Sequence, residues 1–237
     1  MTTPLSPRTE DRRRPKANDV VGALAPLLGL WAAGLLVIAA VLVQDQVPAE
    51  DLFMDATFVG QQPWYVGLVA ALGMVAWTAS VCFCFIAGWV AGLAGRARAK
   101  SAFRGGGLLF ALLLLDDLFL FHSDLLPRAL GLPKVAVLGI YAVLGLVWTT
   151  GSAQELIRTR VQFLVGAAIA FGISLTVEVI FPGSDTGVRG ALEDGAKFLG
   201  ILALALWAST SATDVIRSVV NETRRSRQDD SAESLSV

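Results

Sequence analysis

Apolar residues in this chain form long blocks, and polar residues lie mainly between the blocks. Within a block the residues do not follow the period of an amphipathic helix or strand. A block of about 20 apolar residues matches the ~30 Å hydrocarbon core of a bilayer at about 1.5 Å per helical residue. The pattern predicts an all-α polytopic transmembrane bundle with six spans, at residues 20–43, 64–94, 106–124, 135–152, 161–181 and 191–215.

The segments between the blocks carry the signals of loops. Residues 44–63 are polar and acidic, and residues 95–104 are basic. Pro127 and Pro133 lie in the next connection, where proline ends a helix. The run Pro182-Gly183-Ser184-Asp185 is typical of a turn. These connections support the count of six spans.

The basic residues predict the orientation of the bundle. If the N-terminus is cytoplasmic, fifteen of the 19 Lys and Arg residues lie on the cytoplasmic side. Three lie outside, namely Arg128, Lys134 and Arg189, and Lys197 lies within the last span. Because cytoplasmic loops of membrane proteins carry the excess of Lys and Arg, both termini are predicted to be cytoplasmic. The expected location is the cell membrane.

Both ends of the chain differ in composition from the blocks. Residues 1–18 are polar and basic, and residues 217–237 are rich in Ser, Asp and Arg. Segments of this kind bury too little apolar surface to fold alone. We therefore predict a transmembrane domain over residues 19–216 between two disordered cytoplasmic segments.

Composition agrees with a membrane protein and narrows its partners. Apolar residues make up 54% of the 237 positions and charged residues 16%, whereas a soluble domain carries about 25% charged residues. The net charge of −1 and the absence of a nucleic-acid motif exclude a polyanionic partner, and the lipid bilayer is the predicted one. Cys82 and Cys84 are two residues apart on one helix and point away from each other, so no disulfide is expected between them.

The residues that carry a functional signal are ionisable groups at membrane depth, where charge is costly and usually faces the protein interior or a cavity. They occur in or beside the third, fifth and sixth predicted spans. The candidate polar or ion site comprises Asp116, Asp117, His122, Glu178, Glu193, Asp194 and Lys197.

These groups share a depth. At about 1.5 Å per residue, Asp117 lies roughly 6–8 Å below the predicted outer boundary and Glu178 about 6 Å below it. Lys197 lies on the order of 10 Å from the start of the last span. All of them fall in the outer half of the predicted bundle, whereas the inner half is almost free of charge. The shared level predicts a common polar site open to the outside.

Spacing and charge indicate how the site is arranged. Glu193 and Lys197 are four residues apart on one helix face. Asp116 and Asp117 point about 100° apart and need not serve the same partner. Five carboxylates face Lys197 as the one ammonium in the spans. The site therefore needs protonated carboxylates, a bound cation or access to water.

Three classes of function fit these features. The first is binding or transport of a small cation or a proton-coupled solute. The second is a metal-dependent lipid hydrolase embedded in the membrane, with Asp117, His122 and Glu178 as metal-ligand candidates; the sequence leaves the cofactor open. The third is a non-catalytic assembly or partner subunit, with an Asp–Lys bridge from Lys197 joining the third and sixth spans. Transport is slightly favoured, with Thr78, Ser80, Thr149 and Thr150 as its inner polar lining.

Overall fold

All regular structure in the described part of the chain is helical. The computed structural model describes residues 59–63, 65–180 and 187–235 and nine positions between 32 and 44, and it has no strand in these ranges. The predicted all-α class is confirmed. A π-helical turn, Phe121–Leu125, connects two of the helices. From residue 68 onward the helices are α1 (Leu68–Leu93), α2 (Ala97–Phe119), α3 (Leu126–Leu130), α4 (Lys134–Leu156), α5 (Val161–Ile180) and α6 (Gly187–Leu235).

In the ranges that the structure describes, four helices are long and apolar enough to cross a membrane. They are α1, α4, α5 and the Arg189–Ser226 part of α6, and they match the second, fourth, fifth and sixth predicted spans. The third predicted span, 106–124, is not among them. Its helix, α2, carries Lys100 and Arg104 near one end and Asp116 and Asp117 near the other, with eleven uncharged residues between Arg104 and Asp116. That interval is shorter than the ~20 residues that a span needs.

The first predicted span, 20–43, lies largely outside the described residues, and so does the predicted N-terminal segment, 1–18. The described positions from 32 to 43 are helical. The chain divides into two units at residues 66 and 67, and the helices α1–α6 make up the second unit. Six spans and cytoplasmic termini remain predictions.

Side-chain contacts define how the helices of the second unit run. Helices α1 and α2 are antiparallel, since Arg104 lies against Gly88 and Trp77 bonds to Asp117. Helix α4 is antiparallel to α2, and α5 is antiparallel to α6. The unit therefore has two ends. We call the one with Asp116, Asp117 and Lys197 the carboxylate end, and the one with Arg96, Arg98 and Arg158 the arginine end.

An aromatic layer fills the interior between the two ends. Successive ring centroids lie 5.9 Å apart for Trp77 and Phe110, 5.4 Å for Phe110 and Trp148, and 5.8 Å for Trp148 and Trp207. Such offset and edge-to-face contacts stabilise a core beyond the area that they bury. The layer consists of Trp77, Phe103, Phe110, Trp148, Phe171 and Trp207.

Large apolar side chains also cover the outside of the helices. Trp89 on α1, Val143 on α4, Ile169 on α5 and Leu199 on α6 are all exposed. Contiguous apolar surface of this extent marks a partner or a membrane rather than contact with water. The outward face agrees with helices that lie in lipid.

Helix α6 continues well beyond its apolar part, to Leu235. Residues 217–235 belong to the segment that composition predicts to be disordered. An existing helix extends without the nucleation cost that a separate helix bears, since only the first turn is unfavourable. The preceding apolar helix thus provides the template for the polar continuation.

Gly106 permits the close approach of α2 and α4, and its substitution provides a test of their packing. A Cβ atom at this position would lie 2.8 Å from the Trp148 ring, which is fixed by its N–H bond to the carbonyl of Ala102. We expect Gly106→Ala to lower the free energy of unfolding by about 1–2 kcal/mol through overpacking. Gly139→Ala on α4 meets no atom within 4 Å and is the control, expected to be neutral or stabilising by up to about 1 kcal/mol. Chemical unfolding in detergent micelles measures both, and equal stability of the two variants would contradict the packing.

Candidate functional site

Asp116 is the centre of a buried hydrogen-bonded group at the carboxylate end. Its side chain accepts from the backbone N–H of His122 at 2.8 Å and from the Tyr141 hydroxyl at 2.9 Å, both at Oδ1. Its Oδ2 lies 2.5 Å from His122 Nδ1. The residue is only 4% exposed. We call Asp116, His122 and Tyr141 the Asp–His–Tyr group.

A backbone reversal at Leu120 brings His122 to Asp116. Helix α2 ends at Phe119, and Leu120 takes left-handed dihedral angles of φ 53° and ψ 41°. The amides of Asp124 and Leu125 both donate to the Leu120 carbonyl, and the π-helical turn follows. A left-handed residue other than glycine costs about 1–2 kcal/mol. The bonds to Asp116 offset that cost.

The bonding assigns the protons of the imidazole. An ionised carboxylate can only accept, so His122 Nδ1 carries the proton that faces Asp116. Nε2 is then the basic nitrogen, and it has no hydrogen-bond partner in the described ranges. A carboxylate that bonds to one imidazole nitrogen fixes the orientation of the ring and leaves the other nitrogen to accept a proton.

Asp117 faces a different side of α2 from Asp116 and joins three helices. Its Oδ1 lies 2.5 Å from Lys197 Nζ of α6, and its Oδ2 accepts from the indole N–H of Trp77 of α1 at 2.8 Å. The neighbouring carboxylates thus serve different partners. The Lys197 contact is an interhelical ion pair between the third and sixth predicted spans.

The remaining predicted residues lie apart from these two groups. Glu178 of α5 forms an ion pair with Lys134 at the start of α4. Glu193 pairs with Arg189 one turn earlier on α6, at 3.2 Å. Asp194 is exposed. Each of the four carboxylates Asp116, Asp117, Glu178 and Glu193 therefore contacts a different basic side chain.

Sequence reasoning missed several of these partners. The sequence pattern predicts Lys134 and Arg189 outside the spans, and it does not mark Trp77 or Tyr141 as partners of the carboxylates. One available signal was position, because Lys134 and Arg189 stand directly at the starts of predicted spans, where long side chains reach along the helix. Tyr141 is one of only two tyrosines and has a polar tip inside an apolar block.

The described residues contain no group of three or more His, Cys, Asp or Glu side chains that can hold a metal ion. The metal-ligand candidates Asp117, His122 and Glu178 contact different partners instead. Cys82 and Cys84 are both free. The carboxylate end thus offers paired charges and an oriented imidazole.

The hydroxyl groups predicted to line an inner path are bonded to their own helices. Thr78 donates to Met74, Ser80 to Ala76, and Thr150 to Leu146. Thr149 likewise donates to Gly145. In this unit the aromatic layer lies between the carboxylate end and the arginine end.

The described part of the chain is therefore all-helical, and four of its helices are long and apolar enough to span a membrane. Residues 29–211 match the family described as Domain of unknown function (DUF8692), and the chain belongs to that family. No curated protein and no solved structure matches the chain.

Proposed function

We propose that the chain is an integral membrane protein that takes up and releases a proton at His122. The observation that carries the proposal is the bond between His122 Nδ1 and the buried carboxylate of Asp116. This bond orients the imidazole and leaves Nε2 as its basic nitrogen. Histidine is the side chain suited to proton exchange near neutral pH.

Charge favours a proton over a metal cation as the species bound. A cation site needs uncompensated negative charge, and three carboxylates of the carboxylate end already form ion pairs with Lys or Arg. A protonated His122 instead forms an ion pair with Asp116, so that the site accepts the added charge without an unpaired buried group.

The interior of the bundle favours proton binding over passive conduction. The aromatic layer occupies the space between the two ends. We propose that the carboxylate end faces outward and the arginine end faces the cytoplasm, because the basic residues then follow the usual asymmetry of membrane proteins. The proton would be exchanged with the outer side.

A nuclear magnetic resonance experiment tests the site directly, since His122 is the only histidine of the chain. Protein labelled with ¹⁵N-histidine, in phosphatidylcholine nanodiscs, is expected to show one imidazole with Nδ1 protonated and Nε2 unprotonated at high pH. Acidification of the sample is expected to add a proton to Nε2 reversibly. An imidazole whose Nε2 stays unprotonated until the protein unfolds would refute the proposal.

Asp116→Asn reverses the expected tautomer. Asp116 Oδ1 accepts two bonds, so the amide oxygen takes that position and the amide NH₂ faces His122 Nδ1. Nδ1 must then accept, and the proton moves to Nε2. Asp124→Asn is the control, because Asp124 pairs with the exposed Arg128 and does not contact the imidazole.

A flux measurement in liposomes distinguishes proton binding from proton conduction. We expect the wild-type protein to show passive proton flux no higher than that of empty liposomes. A higher flux that is lost in His122→Gln would indicate conduction instead.

The same geometry supports a second candidate, a hydrolase that acts on lipid without a metal. An imidazole that is oriented by a carboxylate can serve as a general base and remove a proton from water. A loss of lipid hydrolysis in His122→Gln, measured on phospholipid vesicles, is the result that would favour it. The non-catalytic class is supported by the interhelical ion pair of Asp117 with Lys197.

A further inference from the structure

A cavity of about 540 Å³ lies at the arginine end, far along the helices from the Asp–His–Tyr group. It is formed by the start of α2, the end of α4 and the middle of α6. Its volume falls within the range of about 300–1,000 Å³ for small-molecule sites. The lining residues that matter here are Arg96, Arg98, Glu155, Arg158, Ser211 and Asp214.

The charges of the lining favour an anion. Both lining carboxylates already have a basic partner, since Glu155 pairs with Arg158 and Asp214 pairs with Arg160. Arg96 pairs with Glu222, so Arg98 is the lining arginine whose charge is available to a ligand. Arg98 is exposed, donates to the neutral Gln154 at 3.2 Å, and forms no ion pair in the described part of the chain. Its remaining N–H groups are available to a ligand.

Ser211 provides a second and independent indication of a ligand. Its side chain lines the cavity and is only 2% exposed, and its hydroxyl has no hydrogen-bond partner within the described residues. The other serine and threonine hydroxyls of this part of α6 donate to helix carbonyls, as Thr210 and Thr213 do. A buried polar atom without a partner requires an explanation such as a bound molecule.

We propose that this cavity binds the phosphoryl group of an anionic ligand, with the Ser211 hydroxyl and the Arg98 guanidinium donating to its oxygens. Charged acceptors form stronger bonds than neutral ones, and the arginine fork matches phosphate geometry. Two sources supply such a group at a membrane surface: the headgroup of an anionic phospholipid, and a soluble phosphate. The site is independent of the proposed proton exchange at His122.

Thermal unfolding of the full chain in nanodiscs tests the proposal and separates the sources. One arm adds inorganic phosphate to phosphatidylcholine nanodiscs at constant ionic strength, and the other replaces part of the phosphatidylcholine with phosphatidylglycerol. A ligand that binds only the folded state raises the Tm. We expect a rise in at least one arm, and the arm that responds identifies the source.

Two variants and one control decide whether the cavity is responsible. We expect Ser211→Ala and Arg98→Gln each to weaken the apparent affinity by about tenfold, because each removes a donor to a charged oxygen. Arg217→Gln makes the same charge change at an exposed position outside the cavity lining and is expected to leave the affinity within about twofold of the wild type. The proposal would be overturned if the Tm rose in neither arm. It would also be overturned if Arg217→Gln lost as much affinity as the two cavity variants, or if Ser211→Ala kept the affinity of the wild type.

Discussion

Replacing Lys197 with Met is expected to lower the free energy of unfolding by about 3 kcal/mol, a large fraction of the stability of a domain of this size. The substitution leaves the Asp117 carboxylate with the Trp77 indole as its remaining donor among the described residues. Removing one partner of a buried pair is costly because the other charge stays behind. Because the Lys197 side chain is about one third exposed, the expected loss lies at the lower end of the range that is usual for breaking a buried ion pair.

The double variant Asp117→Leu with Lys197→Met separates the ion pair from the packing of α6. Because it removes both charges together, we expect it to recover most of the loss, as apolar replacements of buried pairs often do. Lys100→Met is the matched control, since Lys100 lies at the arginine end and has no ion pair in the described ranges. Chemical unfolding in detergent micelles measures the free energy of unfolding of the wild type and of the three variants. If Lys197→Met were no less stable than Lys100→Met, the ion pair would contribute nothing to stability.

Block length made most of the fold predictable. The apolar segments that became α1, α4, α5 and the first part of α6 are long enough to span a bilayer, and this property depends on composition alone. Helix α2 was the exception, because charges at both ends shorten its apolar part. The continuation of α6 to Leu235 depends on its attachment to an existing helix, which local composition does not record.

The site was predictable only in part, for a geometric reason. Adjacent positions on a helix point about 100° apart, and that rule separates the partners of Asp116 and Asp117. The same rule places residues 116 and 122 on different helix faces, six residues apart. Their contact exists because Leu120 leaves the helical conformation, and nothing in the local pattern marks a leucine for left-handed angles. Ion pairs of Lys134 and Arg189 depend on where neighbouring helices begin, which single-sequence patterns locate poorly.

Asp116→Ala is expected to have the second large effect, lowering the free energy of unfolding by about 3–5 kcal/mol. It removes the acceptor of three donors at once, namely the His122 amide, His122 Nδ1 and the Tyr141 hydroxyl. Each buried donor left without a partner costs about 1–3 kcal/mol, and water entering near the turn reduces the total. The strain at Leu120 also loses its main compensation.

Two companion variants distinguish the loss of the acceptor from the loss of a single bond. Tyr141→Phe removes one donor and leaves Asp116 bonded to His122, so we expect a loss of about 1 kcal/mol. Asp116→Asn keeps an acceptor for two donors, so its loss of stability should lie between those of Asp116→Ala and Tyr141→Phe. Hydrogen exchange at the His122 amide reports the turn itself, and Asp116→Ala should abolish its protection while Tyr141→Phe retains it. If Asp116→Ala were only as destabilising as Tyr141→Phe, the carboxylate would not hold the turn, and the orientation of His122 on which the proton site depends would have another cause.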